Sequence, residues 1–187
     1  MSELLKSTEL MIELHENYPK QTYRNRCYIY SANGVLPLVI PVEKGSFHKI
    51  KLKEIRIDNS RKWRREHINA IVSAYNSSAF FEFYRDELLL PLEKEYEYLI
   101  DLNMNILNII LNILESDIVP GGTESFIADY GREHRDLRYE IEPKKKARSG
   151  YAEYFQVFSP KFGFKPNLSI LDLIFNMGPE AWSCLRT

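Results

Sequence analysis

The chain has 187 residues, a length that fits one folded domain or one domain with a small appendage. Hydrophobic residues make up 44% of the sequence, and the net charge of −1 excludes a general attraction to nucleic acid or to an acidic membrane. Two cysteines are too few for a secreted domain stapled by disulfides, so we expect a cytoplasmic protein with no membrane span.

The first elements in chain order are predicted to be extended. Residues 10–14 read as a short strand or a helical turn. Pro19 disfavours helical backbone before it, and we expect the charged stretch 20–26 to run into a strand. A strand sends alternate side chains to opposite faces, so Lys20, Arg24 and Arg26 would share one face.

A hairpin is the clearest strand signal in the sequence. Residues 27–30 and 35–42 flank Ser31-Ala32-Asn33-Gly34, whose Asn-Gly step favours a tight turn. Pro37 and Pro41 lie four apart in the second arm and would point their missing N–H groups the same way, as in an edge strand. Residues 51–57 alternate more weakly and predict one further strand.

Three helices are predicted in the middle of the chain. Asn59 or Ser60 can cap the first, which runs over residues 63–75, and the second covers residues 80–90. The third covers residues 92–115 and is apolar apart from one narrow stripe, so we expect it in the core. The stripe contains Asp101, Asn105, Asn108, Asn112 and Glu115.

The C-terminal part is predicted to alternate between loop and order. Residues 120–150 are charged and loop-rich, and residues 144–146 are a run of solvated lysines. Residues 154–158 look extended, and residues 168–175 form a short helix that Gly178 can close. We predict one α+β domain over residues 1–187, with a sheet packed on a helical block; the alternative is an α/β fold without its first strand-helix unit.

Several blocks of the sequence resemble the WbqC-like protein family. One is Glu16-Asn17-Tyr18-Pro19-Lys20-Gln21-Thr22-Tyr23-Arg24-Asn25-Arg26-Cys27, and others are Leu38-Val39-Ile40-Pro41-Val42, the Trp63…His67…Ala74-Tyr75 helix and Phe80-Phe81-Glu82-Phe83-Tyr84. A closing block runs from Tyr154 through Gly163-Phe164-Lys165-Pro166-Asn167-Leu168-Ser169 to Gly178-Pro179-Glu180.

The resemblance implies a bacterial protein of surface-polysaccharide biosynthesis, of the O-antigen type, in a family whose activity is poorly defined. Family members usually open with an aromatic residue followed by proline, and this chain begins after that point. We therefore expect either a short member or one that lacks an N-terminal element. Loss of an element that supplies part of an active site would affect the activity of this chain.

An anion site is predicted on the 20–26 stretch. The planar guanidinium groups of Arg24 and Arg26 suit a phosphate or a carboxylate, and Lys20 adds charge, whereas the plain alternative is a solvated sheet face. Arg138 resembles part of another family block and would extend the site. Asn25 points to the opposite, apolar face, where it would lock a turn or a neighbouring strand or contact substrate.

His67 and Asp172 are the candidates for acid–base chemistry. The pKa of histidine lies near neutral pH, but a histidine beside Trp63 on an apolar helix face is more simply a hydrogen-bonded core residue. Asp172 is either a general base or the ion-pair partner of Arg24 or Arg26, and the ion pair would bring the first and last family blocks together.

Two functions follow from these residues. The first is a cytoplasmic enzyme that transfers a group onto a sugar nucleotide, with Lys20, Arg24 and Arg26 on phosphate. The second is a non-catalytic protein of the same pathway that binds an anionic ligand or partner. Because the sequence lacks the ligand spacing of a metal site, a glycine-rich phosphate loop and a Gly-x-Ser-x-Gly elbow, we predict no metal and no cofactor.

Overall fold

The computed structural model describes residues 1–43, 45, 49–131, 134–143 and 152–186. The predicted lysine run at 144–146 lies outside the described residues. The strands are β1 (Leu10–Ile12), β2 (Arg26–Ser31), β3 (Gly34–Val39) and β4 (Pro120–Gly122). The helices are α1 (Trp63–Tyr75), α2 (Phe81–Glu93), α3 (Leu99–Ile113), α4 (Ser159–Phe162), α5 (Ile170–Met177) and α6 (Ala181–Arg186).

The hairpin is confirmed, with β2 and β3 antiparallel and Ser31 opposite Gly34. The turn relies on Gly34, whose φ of 102° is open to glycine, and on the Ser31 hydroxyl, which donates to the Gly34 carbonyl at 2.8 Å. The β1 strand, one of two alternatives in the sequence, pairs in parallel with β4, so the described strands form two separate two-stranded sheets.

The prediction of an extended 20–26 stretch is wrong before Arg26. Residues 20–25 form turns, and Gln21 has a φ of 60°. The Thr22 hydroxyl donates to the Pro19 carbonyl and accepts from the Arg24 N–H, so a side chain supplies the local bonds that a strand would need from a neighbour. Lys20, Arg24 and Arg26 therefore do not share a strand face.

Other boundaries also differ from the sequence prediction. Residues 51–57 contain a 3-10 turn (Leu52–Glu54) and isolated bridges rather than a strand, and no strand is assigned over residues 154–158. Helix α2 continues through Pro91 to Glu93, and α3 begins only at Leu99. The Leu99 N–H donates to the Ile55 carbonyl. The residue before α1 is Lys62, without a side-chain cap.

The core lies between the hairpin, α1, α2, α3 and the C-terminal helix α5. Fully buried rings of Tyr75, Phe81 and Phe175 pack at centroid distances of 5.0 to 5.2 Å. Gly178 ends α5 with a φ of 54°, and a side chain there would collide with the Phe80 ring. Small sheets next to a helical block confirm the predicted α+β class. None of the helices within the described residues is long and apolar enough to cross a membrane.

Candidate functional site

Arg24 binds a glutamate of the chain itself. Its Nε and Nη2 atoms lie 2.6 and 2.5 Å from the Glu16 Oε1 atom, and Glu16 is only 2% exposed. The turn that replaces the predicted strand carries Arg24 back over the residues before Pro19. The guanidinium that we predicted to hold a ligand anion is engaged by a protein carboxylate.

Arg138 is next to Arg24, as the predicted extension of the anion site requires. The Arg24 Nη2 atom donates to the Arg138 carbonyl at 3.2 Å. The Arg138 guanidinium contacts both oxygens of Asp136 and, at 3.4 Å, the Oε2 atom of buried Glu13. Three aromatic rings within 6 Å of its carbon surround it, those of Phe126, Tyr130 and Tyr139. We call Glu13, Glu16, Arg24, Asp136 and Arg138 the arginine–carboxylate cluster.

The two carboxylates nearest these arginines are affected differently. Burial raises the pKa of Glu16, and the nearby Arg24 only partly offsets this. Hydrogen bonds from Arg138 lower the pKa of the more exposed Asp136. With two cations facing three carboxylates, the cluster has little capacity left for a further anion.

Asn25 is a structural tie. Its side-chain nitrogen donates to the Ile40 carbonyl at 3.0 Å, and the Ile40 N–H donates to the Asn25 carbonyl at 2.8 Å. The amide thus joins the start of β2 to the chain after β3, which is the first of the two roles that the sequence analysis gave it. Lys20 is exposed on the turn, outside the arginine–carboxylate cluster.

Arg26 differs from the other arginines predicted for the site. Its side chain is half-buried, and within the described part of the chain its buried Nε atom has no hydrogen-bond partner. Tyr18 and Arg24 are close by: burial raises the pKa of Tyr18 to about 12, while the positive charges of Arg26 and Arg24 act against that rise. A buried guanidinium nitrogen without a partner costs free energy unless a ligand or water satisfies it.

Arg26 lies on the side of the hairpin away from the buried Ile29 and Leu38. The register places Arg26 opposite Val39, Tyr28 opposite Pro37 and Tyr30 opposite Val35, and paired residues share a face. We call these six residues the hairpin outer face. Phe158 and Phe162 cover it at Tyr30, whereas Val39 and Pro37 are exposed at the Arg26 end.

Asp172 is held by neutral donors. This 1% exposed carboxylate accepts from the Tyr154 hydroxyl at 2.7 Å and from the Tyr75 hydroxyl and the Gln156 side-chain nitrogen at 2.9 Å. Burial raises the pKa of Asp172, and the three hydrogen bonds act in the opposite direction. We call Tyr75, Tyr154, Gln156 and Asp172 the aspartate–tyrosine network.

The predicted ion pair between Asp172 and Arg24 or Arg26 is therefore not formed. The first and last family blocks do meet, but through other contacts. The Asn167 side-chain nitrogen donates to the Tyr23 hydroxyl at 3.1 Å, and the Ser169 N–H donates to the Tyr28 carbonyl at 2.7 Å. An uncharged set of contacts joins the two blocks.

His67 is buried on α1 with its ring 5.2 Å from that of Trp63. Burial lowers its pKa, while a hydrogen bond to the Val39 carbonyl favours the protonated form. From His67 to Tyr75, which contacts Asp172, the helix rises by about 12 Å. The two acid–base candidates therefore contact different parts of α1, and His67 reaches Val39, the residue that pairs with Arg26.

Sequence reasoning missed the residues that organise both regions. Glu13 and Glu16 were not considered as partners of the arginines, nor Tyr75, Tyr154 and Gln156 as partners of Asp172. The one available signal was that Gln156 and Tyr154 stand in the closing block. Among the described residues no group of three His, Cys, Asp or Glu side chains is arranged to hold a metal ion.

The model of the WbqC-like protein family matches residues 1–137. The chain is similar to the uncharacterized protein Rv1507c of Mycobacterium tuberculosis, with 29% identity over 208 residues that cover 95% of this chain and 87% of that protein. No solved structure matches the chain. The matched range includes the 20–26 stretch, the hairpin and α1, and the closing block follows it.

Proposed function

The chain belongs to the WbqC-like protein family, and we propose that it binds a phosphorylated small molecule through Arg26 on the hairpin outer face. The family suggests a protein related to polysaccharide biosynthesis, and we propose a sugar nucleotide or sugar phosphate of that pathway, bound in the cytoplasm. The observation that carries the proposal is the buried Arg26 Nε atom, which has no partner in the described residues.

The position of Arg26 also favours a ligand anion. Its neighbours on the outer face are apolar or aromatic, and no carboxylate of the described residues is bonded to its Nε atom. A phosphate can accept two parallel bonds from one guanidinium, which gives both affinity and orientation. Lys20 lies on the adjacent turn, and a larger ligand brings its second phosphate toward that charge.

The geometry favours a binding protein over a group-transfer enzyme. Catalysis at this site requires an acid or a base within hydrogen-bonding reach of the bound ligand. His67 is buried and bonded to the Val39 carbonyl at the β3 edge, and Asp172 is enclosed by two tyrosines and a glutamine. Arg24 and Arg138 support the site indirectly, because they stabilise the turn that precedes Arg26.

Isothermal titration calorimetry with uridine diphosphate glucose, inorganic phosphate and glucose tests the proposal. We expect uridine diphosphate glucose and inorganic phosphate to bind and glucose not to bind. Arg26→Gln should weaken phosphate binding roughly tenfold or more, because a charge-assisted hydrogen bond contributes about 1.5–3 kcal/mol.

Arg65→Gln is the matched control, since Arg65 is exposed on the outer side of α1. It should leave the affinity unchanged. Equal phosphate affinity in Arg26→Gln and Arg65→Gln, or no phosphate binding by the native chain, would refute the proposed role of Arg26. Release of free uridine diphosphate during the titration, lost in His67→Gln or Asp172→Asn, would support the enzyme instead.

A further inference from the structure

The surface beside Arg26 contains two tyrosines set at a right angle. The rings of Tyr23 and Tyr28 have centroids 6.1 Å apart and planes inclined by 84°. Both residues are half-buried, so each ring keeps part of its surface open. Two perpendicular aromatic walls form a corner in which a flat or puckered ring can lie with its face on one wall and its edge on the other.

The corner is held in place by the closing block. The Asn167 side chain donates to the Tyr23 hydroxyl, and the Ser169 N–H donates to the Tyr28 carbonyl. Both contacts come from residues more than a hundred positions away in the chain, so the corner exists only in the folded protein. Such anchoring restricts the rotation of the Tyr23 ring before any ligand arrives.

Left-handed backbone occurs on both sides of Tyr23. Three described residues other than glycine have positive φ, and two of them adjoin Tyr23. Gln21 has a φ of 60° in the turn before Tyr23, and Asn167, with a φ of 58°, is its hydrogen-bond partner. A left-handed conformation is unfavourable for glutamine, whereas asparagine adopts it more readily than most residues with a side chain. Strain of this kind persists where a fixed side-chain arrangement is needed, as at ligand sites.

The distance from Arg26 to the corner fits one ligand. Arg26 and Tyr28 are two positions apart on β2 and point to the same side, about 7 Å from each other. A ring joined to a phosphate through an ester lies within that reach, whereas a phosphate without a ring leaves the corner empty. Pro37, exposed opposite Tyr28, adds a flat apolar side to the corner.

We infer that Tyr23 and Tyr28 form a ring subsite next to the Arg26 phosphate subsite, so that the protein selects ring-bearing phosphoesters. This inference rests on the proposed function and adds the class of ligand. The ring is either a sugar or a nucleobase, because both pack on aromatic side chains.

Four ligands of known composition test the ring subsite by calorimetry. Glucose 1-phosphate is compared with glycerol 3-phosphate, which has no ring, and uridine diphosphate with inorganic pyrophosphate. We expect at least one ring-bearing member to bind at least five times more tightly than its ringless counterpart. A larger ratio for the first pair identifies a sugar ring. A larger ratio for the second pair identifies the nucleoside, and ribose 5-phosphate as a fifth ligand then separates the contribution of the ribose from that of the base.

The tyrosine variants assign the preference to the corner. Tyr23→Leu and Tyr28→Leu should abolish the preference for ring-bearing ligands and leave the affinity for the ringless ligands unchanged. Tyr23→Phe should keep the preference for ring-bearing ligands, since it retains the ring and removes the hydroxyl that accepts from Asn167. Tyr98→Leu, a half-buried tyrosine beside Arg56, is the control and should behave like the native chain.

The outcomes separate the two proposals. If glycerol 3-phosphate and pyrophosphate bind through Arg26 as tightly as the ring-bearing ligands, the ring subsite is refuted and the phosphate site stands. If no phosphate binds, the proposed function fails as well. Should Tyr28→Leu unfold, the pair Tyr23→Leu and Tyr23→Phe decides, because Tyr23 lies in a surface turn rather than in β2.

Discussion

Glu16 and Asp172 are buried to nearly the same extent and are held in opposite ways. Glu16 faces the guanidinium of Arg24, so its negative charge is matched by a positive one. Asp172 accepts from two tyrosines and a glutamine, none of which carries a charge. The comparison shows that a buried carboxylate can be satisfied by charge or by hydrogen bonds alone, with different consequences for stability.

The difference lies in what each site loses when one partner is removed. Without Arg24, Glu16 loses its hydrogen-bonded cation and keeps only the weaker influence of Arg138. Without one of its three donors, Asp172 still has two hydrogen bonds. The arginine–carboxylate cluster should therefore be more sensitive to a single substitution than the aspartate–tyrosine network, while the network should respond more clearly to pH.

The largest effect is expected from Arg24→Ala. Loss of one partner from a buried ion pair leaves the other charge uncompensated, and we expect the free energy of unfolding to fall by roughly 3 kcal/mol. Urea denaturation followed by circular dichroism measures the change.

Arg26→Ala is the matched comparison for Arg24→Ala, because Arg26 is two positions away and no carboxylate of the described chain pairs with it. It should change the free energy of unfolding by less than about 1 kcal/mol. In the double variant Arg24→Met with Glu16→Leu, most of the lost stability should return. Equal destabilisation by Arg24→Ala and Arg26→Ala would remove the distinction between the two arginines.

An intermediate effect is expected from Asp172→Asn, and it should depend on pH. The asparagine keeps the shape of the side chain but brings an N–H group to face three donors, which costs about 1–3 kcal/mol. Burial raises the pKa of Asp172, so the folded protein holds this proton more tightly than the unfolded chain does.

The stability that Asp172 contributes through its proton is therefore fully present below the pKa of an unfolded aspartate, about 4, and is lost as the pH rises through the raised pKa. The free energy of unfolding of the native chain should exceed that of Asp172→Asn by most at pH 4, and this difference should shrink towards pH 8. Urea titrations of both proteins across this range measure it. A difference in stability that grows with pH would mean that folding lowers the pKa of Asp172 instead.

The smallest effect is expected from Tyr154→Phe. It removes one of three donors to Asp172 at a half-buried position, and we expect a loss of about 0.5–1.5 kcal/mol in the free energy of unfolding. Tyr75→Phe should cost more, because it leaves the buried Tyr30 N–H without its acceptor, whereas the Gln156 nitrogen that donates to Tyr154 keeps Lys165 and Asp172 as acceptors. Thermal denaturation of the two variants gives the order, and the reverse order would place the weight of the network on Tyr154.

Local patterns in the sequence were sufficient for the hairpin, α1 and α5. The Ser31-to-Gly34 turn, the apolar face around Trp63 and Ile71, and the Gly178 terminus each depend on a few neighbouring residues. The family was also identified correctly from short blocks. These features are decided within about a dozen positions, which is the range over which propensity and periodicity act.

The sites depend on contacts that no local pattern contains. Arg138 and Glu13 are 125 positions apart, and Tyr75 and Asp172 are 97 apart. The 20–26 stretch looks extended by composition, but Thr22 bonds to its own backbone and turns the chain, which assigns Arg24 to Glu16 and leaves Arg26 on the strand. The environments of Arg24 and Arg26 thus differ although the two residues are neighbours in the sequence, and only tertiary structure determines them.

The two edges of the hairpin have a consequence for self-association. At the β2 edge the Tyr75 hydroxyl accepts a hydrogen bond from the Tyr30 N–H, and the Ser169 N–H donates to the Tyr28 carbonyl. Because Tyr28 points its backbone away from β3, its partner Pro37 points outward from β2, at the opposite edge, where it has no N–H to offer. On that edge the Val39 carbonyl already accepts a hydrogen bond from His67. The hairpin is thereby blocked on both sides against the addition of a strand from another molecule, a protection against aggregation.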